Sequence, residues 1–289
     1  LCNDLGAKTP FIRPPELSAS HVNLQEVQQY SLQQIETKNL LPDLVVHLEE
    51  TFPFRDKEII LFDDCSNDKS LEIFKKYPSI KLIKNKKKKY LSGPQNQIYG
   101  MSKILQKSKG EIIFLLDSDD EFKLNKLATI FQKFKNDQNL KFIQDTPILT
   151  SSKKKMKLKN KKSYFTIWPS FFPTSSIAVR RNFLIKFFKL VKNNEFPNLE
   201  IDARLCIFAF LKKEFNITKK SLTFYNYDPF GITSKYKKFS LSWWQKRNEA
   251  FEYSKFLTKK LEINFYKGPD YYITKFINLF IGLFYKSYH

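Results

Sequence analysis

From Glu58 onward, apolar runs of strand length alternate with longer segments whose apolar residues recur at helical spacing. The predicted strands are EIILFD, IKLIK and EIIFLLD, and the predicted helices are NDKSLEIFKKY, PQNQIYGMSKILQKSKG and KLNKLATIFQKF. In the second helix, Ile98, Met101, Ile104 and Leu105 share one face, and Gly110 marks its end. In the third, the aligned apolar residues are Leu124, Leu127, Ile130, Phe131 and Phe134. This alternation predicts an α/β fold in which helices flank an open, mostly parallel sheet.

Two groups of carboxylates directly follow predicted strands. Asp63 and Asp64 lie at the end of the first strand, and Asp117, Asp119 and Asp120 lie at the end of the third. Ligands of such sheets bind beyond the carboxyl ends of the strands. Either group alone is also typical of a turn or helix cap. Because like charges at a strand end repel each other, the two groups together indicate a divalent cation, Mg²⁺ or Mn²⁺, that carries a diphosphate.

The charge of the chain changes sharply near residue 57. Residues 1–57 hold five Lys/Arg and eight Asp/Glu, a net charge of −3, whereas residues 58–289 carry a net charge of +24. A change this sharp predicts two pieces of different origin. The first piece is predicted to contain a helix around Leu24–Glu36 and the short strand LVVHL at Leu44–Leu48.

Composition narrows the class of protein further. A hydrophobic content of 42% excludes a disordered chain. No apolar run reaches the ~18 residues of a membrane span, and Phe276–Phe284 is the nearest. The three cysteines and three histidines show no metal-binding spacing. Because the chain starts at Leu1 without a signal-peptide pattern, we expect a fragment of a longer product that stays in the cytoplasm.

The segments GAKTPFIRPPELSASH and PDLVVHLEETFPFR resemble the middle of the CMP-sugar synthetases, which are cytidylyltransferases. The matching residues are Gly6, Ala7, Arg13, Pro14, Thr51, Pro53 and Arg55. The nucleotide-binding start and the acidic metal-binding end of that family are both missing. We therefore expect residues 1–57 to be non-catalytic, and nucleotidyl transfer is the less favoured activity.

The segments EIILFDDCSNDKS, KNKKKKYLSGPQNQ and GEIIFLLDSDDEF resemble successive landmarks of the inverting family-2 glycosyltransferases, which have the GT-A fold. The resemblance implies a catalytic domain over residues 58–230 and a nucleotide-sugar donor. The implied donor-binding residues are Asp63, Asp64, Ser66, Asn96 and Asp117, and the implied metal ligands are Asp119 and Asp120. The first strand of that fold is predicted to be replaced by the preceding segment, and Gln95 stands where the family often has arginine. A catalytically inactive scaffold therefore remains an alternative.

The second half of the resemblance implies the acceptor site and the catalytic base. The segment Trp168–Arg181 resembles the part that lines the acceptor site, where its aromatic residues either stack on a sugar or belong to the core. In the segment EIDAR the implied base is Asp202, with Glu200 as the next candidate. Both carboxylates could instead merely complement the helix dipole. The helix N-terminus is expected to keep the Asp202 pKa low.

Residues 231–289 are predicted to form a basic, aromatic-rich helical region. The Q-x-x-R-W motif of processive synthases is absent, which favours a single-addition transferase acting on a sugar or glycan acceptor in surface polysaccharide or glycoconjugate synthesis. The basic surface suits diphosphates or an anionic membrane, with the protein peripheral at the inner face. No known nucleic-acid-binding module is evident, so no specific nucleic-acid partner is expected.

Overall fold

The structure is a computed structural model that describes residues 58–158, 167–191, 195–228, 231 and 233–286. Side chains are described as far as Ile281. In the first 57 residues it describes Pro14, Glu16, Tyr30, Gln33 and Gln34. The chain divides into two compact units, Leu1–Phe52 and Pro53–His289, and the second one is treated below. The predicted strand LVVHL lies outside the described residues, and so does the place where the usual first strand would stand.

Eight strands form in the described part of the second unit. They are β1 (Ile59–Asp63), β2 (Ile80–Lys84), β3 (Ile112–Phe114), β4 (Glu121–Phe122), β5 (Phe142–Gln144), β6 (Ile148–Leu149), β7 (Ile177–Arg180) and β8 (Thr223–Tyr225). The three strands predicted from apolar runs are β1, β2 and β3, and all three are confirmed.

Seven helices accompany these strands in the same ranges. They are α1 (Ser70–Phe74), α2 (Gly93–Lys107), α3 (Lys126–Asn136), α4 (Arg181–Leu190), α5 (Ile201–Leu211), α6 (Leu241–Lys260) and α7 (Pro269–Lys286). The three predicted helices are present, although the first is only five residues long. Leu124, which was predicted to share the buried face of α3, precedes that helix and is 98% exposed. Ile130 and Phe134 provide the buried contacts of α3 instead.

The strand pairings correct one part of the sequence prediction. Strands β1 and β2 are parallel, with Ile59 opposite Ile80 and Asp63 opposite Lys84. Strand β7 lies between β3 and β5 and is antiparallel to both. Strand β8 pairs antiparallel with β4 and parallel with β6. The α/β class is confirmed, but the described sheets are mixed rather than mostly parallel, because β7 is antiparallel to β3 and β5 and β8 is antiparallel to β4.

The main core forms around α5, whose residues Ile201 and Ala203–Ala209 are buried on every side. A helix that is apolar all round is typical of a protein interior. Trp168 packs on Phe251 of α6 with ring centroids 4.5 Å apart, and Trp168 and Phe172 are 6% and 3% exposed. These aromatic residues therefore belong to the core, which corrects the alternative that they stack on a sugar. In the described ranges, no helix is both long enough and apolar enough to cross a bilayer.

Candidate active site

The first acidic turn follows β1 and is held by both of its carboxylates. The buried Asp63 accepts a hydrogen bond through Oδ1 from the Ser66 N–H at 3.2 Å. Asp64 Oδ1 accepts one from Asn85 Nδ2, just beyond β2, at 2.9 Å. Cys65, between Asp64 and Ser66, has a φ of 66°, which makes the turn sharp. Among the described residues the second Asp63 oxygen, Oδ2, is buried without a hydrogen-bond partner.

The second acidic turn, Asp117–Asp120, follows β3 and is closed by a hydrogen bond from the Asp120 N–H to the Asp117 carbonyl at 3.2 Å. The Asp117 N–H donates to Ser175 Oγ at 2.9 Å, which anchors the turn to the 3₁₀ segment before β7. Asp119 is exposed. Asp120 is buried and its Oδ1 accepts from the Asn226 N–H at 2.8 Å, while its Oδ2 has no partner among the described residues.

The electrostatics of this turn show a local shortage of positive charge. Burial raises the pKa of Asp117 to about 6, and the neighbouring charges of Asp120 and Asp119 add to the rise. Burial also raises the pKa of Asp120. Each group therefore resists ionisation in the protein alone. A cation beside these carboxylates would favour their ionised form.

The donor set of the turn fits a divalent cation bound together with a diphosphate. Carboxylate oxygens suit Mg²⁺ or Mn²⁺. The buried Asp120 Oδ2 and the exposed Asp119 provide oxygens that the described protein leaves for a ligand. Within the described ranges no three His, Cys, Asp or Glu side chains gather as a complete metal cage. Mg²⁺ in such sites takes one or two carboxylates and completes its shell with phosphate and water oxygens, so a cage is not required.

A buried ion pair supports this turn from behind, and the sequence alone gave no sign of it. Lys126 Nζ lies 2.8 Å from Asp145 Oδ1, with both side chains fully buried. The same ammonium donates to the Ser175 carbonyl at 2.5 Å and to Thr223 Oγ1 at 2.6 Å. Burial lowers the pKa of Lys126 to about 8. The pair thus fixes Ser175, which in turn holds the Asp117 N–H.

Asp202 lies in the first turn of α5, where its Oδ1 accepts from the Ala203 N–H at 2.6 Å. Protein surrounds this side chain although part of its surface stays accessible. Burial raises the Asp202 pKa to about 7, the Glu200 charge adds to the rise, and Lys246 opposes it. The expectation of a low pKa was therefore wrong, because the cost of burying the charge exceeds what the helix N-terminus returns.

Glu200 differs from Asp202 in forming an ion pair with Lys246. Its Oε1 lies 2.5 Å from Lys246 Nζ on α6, and the Glu200 side chain is only 9% exposed. A carboxylate held in this way is less available to accept a proton from a substrate. The contrast favours Asp202 over Glu200 as the base.

Gln97 of α2 connects the acidic turn with the start of α5. Its Nε2 donates to Asp117 Oδ1 at 3.3 Å, and its Oε1 accepts from the Ile201 N–H at 3.2 Å. Sequence reasoning selected the neighbouring Asn96 and missed Gln97. The amide of Asn96 instead holds the backbone of Tyr90, accepting from its N–H at 2.9 Å and donating to its carbonyl at 2.8 Å. A contact of Asn96 with nucleotide therefore stays a prediction.

Tyr225 of β8 lies in the electric field of carboxylates from both elements. Burial raises the pKa of its phenol to about 12, and four nearby carboxylates contribute, namely Asp120, Asp202, Asp119 and Asp117. The residues predicted as metal ligands and as base therefore interact electrostatically with the same phenol, and Gln97 connects their two elements by hydrogen bonds. Asp63, Asp64 and Ser66 form their own turn at the end of β1, and their predicted contacts with the donor remain predictions.

This combination defines an α/β protein in which Gln97 connects an acidic strand-end turn with the helix start that carries Asp202. The family model for glycosyl transferase family 2 matches residues 36–192, more than half of the 289 residues. The chain belongs to this family, a family of glycosyltransferases with the GT-A fold. The match includes both acidic turns and ends before Asp202. It begins inside the segment that resembles CMP-sugar synthetases, and that resemblance remains a prediction.

The fold is similar to several solved structures at low sequence identity. S. aureus TarS 1–349 in complex with UDP-GlcNAc is 15% identical over 68% of this chain, with a TM-score of 0.48. The mannosyltransferase PcManGT from Pyrobaculum calidifontis, in complex with GDP-Man and Mn²⁺, is 12% identical over 73% of the chain, with a TM-score of 0.46. The chain spans 57% and 56% of these two structures. It matches no curated protein sequence.

Proposed function

We propose that this protein transfers a sugar from a nucleotide-diphosphate sugar to an acceptor hydroxyl with inversion at the anomeric carbon. The observation that carries the proposal is that Gln97 bonds both to Asp117 of the 117–120 turn, at 3.3 Å, and to the Ile201 N–H beside Asp202, at 3.2 Å. Inverting transfer needs one group that stabilises the leaving diphosphate and one base that takes the acceptor proton. The two elements are suited to these two tasks.

Asp119 and Asp120 would hold a Mn²⁺ or Mg²⁺ ion, which supplies positive charge to the leaving diphosphate. Asp117 is positioned by Gln97 and Ser175 and would contact the ribose. At the end of β1, Asp64 would hydrogen-bond the base or ribose. Asp63 and Ser66 would shape that turn, and Asn96 would shape the loop at Tyr90.

Asp202 would accept the proton of the acceptor hydroxyl while the acceptor oxygen attacks the anomeric carbon. The bond from that carbon to the diphosphate oxygen breaks as the new carbon–oxygen bond forms, and the diphosphate leaves with the electron pair. A base pKa near the working pH suits such a transfer, and the Asp202 pKa of about 7 meets that condition. The rate should therefore rise as pH increases through about 7, where Asp202 becomes ionised.

The proposal is tested by comparing transfer with donor binding in Asp202→Asn. Asparagine keeps the shape and the acceptor for the Ala203 N–H but cannot take a proton. Turnover should fall by ~10²–10⁴-fold, the usual contribution of a general base, while the calorimetric affinity for nucleoside diphosphate with Mn²⁺ stays unchanged. Glu121→Gln, which removes one exposed carboxylate beside the turn, is the matched control. Wild-type turnover in Asp202→Asn would remove Asp202 as the base, and Glu200→Gln would then be measured.

We infer further that the product belongs to surface polysaccharide or glycoconjugate synthesis and that the protein works in the cytoplasm. The absence of a processive-synthase motif supports a single addition to a sugar or glycan acceptor. If the protein were an inactive scaffold, it would neither bind nor consume a nucleotide-sugar donor. Nucleotide binding together with an Asp202-dependent transfer would exclude that alternative.

A further inference from the structure

Helix α7 carries exposed apolar residues on the side opposite to its contacts with α6. Its inner side is fixed to α6, where Arg247 Nε donates to Asp270 Oδ1 at 2.9 Å and Asn278 Nδ2 donates to the Trp244 carbonyl at 3.0 Å. The exposed residues of its outer side, between 43% and 63% accessible, are Tyr272, Ile273, Phe276, Leu279 and Phe280. Their spacing of one, four, seven and eight residues places them on a single strip of the helix.

A second group of exposed apolar residues lies at the start of α6. Phe239 and Leu241 are 63% and 55% exposed. Phe239 packs on Trp243 with ring centroids 5.4 Å apart, and Trp243 packs on Trp244 at 4.7 Å. The bond from Asn278 to Trp244 brings this aromatic group beside the middle of α7. We call the α7 strip and the aromatic group together the apolar face.

Positive charge lies next to the apolar face. The exposed residues Lys235, Lys237 and Lys238 directly precede Phe239. Lys238 Nζ lies 4.5 Å from the centroid of the Phe239 ring, so its charge is at the edge of the face. The whole chain has a net charge of +21. The face therefore combines large exposed aromatic and aliphatic side chains with cations, in a protein of strongly positive charge.

We propose that the apolar face binds the surface of an anionic lipid bilayer. Contiguous exposed apolar residues are rare in soluble monomers and mark an interaction site. An interfacial helix buries its apolar side at the boundary of headgroups and acyl chains, and nearby lysines contact anionic headgroups. A second copy of the chain is a poorer partner, because two chains that each carry a net charge of +21 repel each other. An anionic bilayer attracts a chain of this charge. Docking here would hold the protein against a membrane surface.

The full chain is tested by flotation with vesicles of phosphatidylcholine alone and of phosphatidylcholine with phosphatidylglycerol. We expect binding to the anionic vesicles, weakened at high salt because the Debye length falls from about 10 Å at 0.1 M to about 3 Å at 1 M. Phe276→Ser with Leu279→Ser should lower the partition coefficient by about tenfold or more, since two exposed apolar side chains lose their burial in lipid. Lys237→Gln with Lys238→Gln should lower it by about fivefold per lysine.

Ile73→Ser with Leu124→Ser is the matched control, because those side chains are 51% and 98% exposed elsewhere on the chain. It should bind vesicles like the wild type. Brominated lipids give a second readout, since quenching of Trp243 and Trp244 fluorescence is expected only if the face enters the bilayer. All variants change exposed side chains, and their thermal unfolding should match the wild type.

Three results would overturn the proposal. The first is a wild-type protein that binds neither kind of vesicle, or that binds both kinds equally. The second is binding that depends on Lys237 and Lys238 but is unchanged by Phe276→Ser with Leu279→Ser. The third is a concentration-dependent dimer in sedimentation velocity that the same double substitution abolishes, because the face would then join two copies. None of these results depends on the donor site, so the proposed transferase activity is tested separately.

Discussion

Replacing Asp202 by asparagine should stabilise the folded protein, and the gain should grow with pH. In the folded protein the Asp202 pKa rises from 3.8 to about 7 because the carboxylate is buried near Glu200. The ionised side chain is therefore less stable in the folded than in the unfolded protein. Asparagine keeps the size and the hydrogen-bond acceptor of this side chain but carries no charge.

The direction of this pH dependence follows from the protons bound by the folded and unfolded protein. Between about pH 4 and pH 7 the folded protein holds a proton on Asp202 that the unfolded chain has lost, so the stability of the wild type falls as pH rises through this window. Above the folded pKa of about 7 the contribution is constant. The full difference in pKa corresponds to about 4 kcal/mol, at about 1.36 kcal/mol for each tenfold change in proton affinity. At pH 5 only about 1–2 kcal/mol of it has developed.

The assay is thermal unfolding of wild type and Asp202→Asn at pH 5 and pH 8. The Tm of the variant should exceed that of the wild type at both pH values. The difference in Tm should be larger at pH 8 than at pH 5 by roughly 5–10 °C. Glu121→Gln, which removes an exposed carboxylate, should show no such widening. A constant difference between the two pH values, or a variant less stable than the wild type at pH 8, would refute the assigned pKa.

Three further substitutions test the residues around the site. Asp64→Ala should weaken nucleotide binding by ~1.5–3 kcal/mol, the usual contribution of a hydrogen bond to a charged group. Calorimetry without metal should show the same loss of affinity. A loss confined to the metal-dependent part of binding would instead place Asp64 among the metal ligands. Gln97→Ala should lower turnover by about tenfold or more, since a small misplacement of reacting groups slows a reaction strongly. Unchanged kinetics would show that the hydrogen bonds of Gln97 to Asp117 and Ile201 do not position the catalytic groups. Lys126→Met should destabilise the fold by about 3–5 kcal/mol in denaturant unfolding, because Asp145 would be left as a buried unpaired charge; a change below about 1 kcal/mol would contradict the ion pair.

The sequence predicted the first half of the fold well for a physical reason. Strands β1, β2 and β3 are short apolar runs, and helices α2 and α3 carry regular apolar faces, so local periodicity was sufficient. The antiparallel position of β7 between β3 and β5 was not predictable in this way. Strand pairing depends on residues that are distant along the chain, and periodicity carries no information about them.

The candidate site shows the same division between local and distant information. The strand-end carboxylates and Asp202 could be proposed from sequence because their motifs are local, and their roles remain predictions. Gln97 was missed because its partner Ile201 is 104 residues away, and Lys126 because its partners come from β8 and from the segment at Ser175. The pKa of Asp202 was mispredicted for a related reason. The sequence shows the start of a helix, but burial of the side chain is decided by the tertiary packing around it.

The most direct test of the proposed function is calorimetric titration of the protein with UDP, GDP and CDP, each with and without Mn²⁺. One of the three should bind, and binding should be tighter with Mn²⁺, because the cation supplies the positive charge that the 117–120 turn lacks. Asp119→Asn should abolish the Mn²⁺-dependent part while thermal unfolding stays unchanged, since Asp119 is an exposed residue of that turn. Absence of binding by all three nucleotides, or full Mn²⁺-dependent binding by Asp119→Asn, would contradict a metal-assisted donor site at this turn.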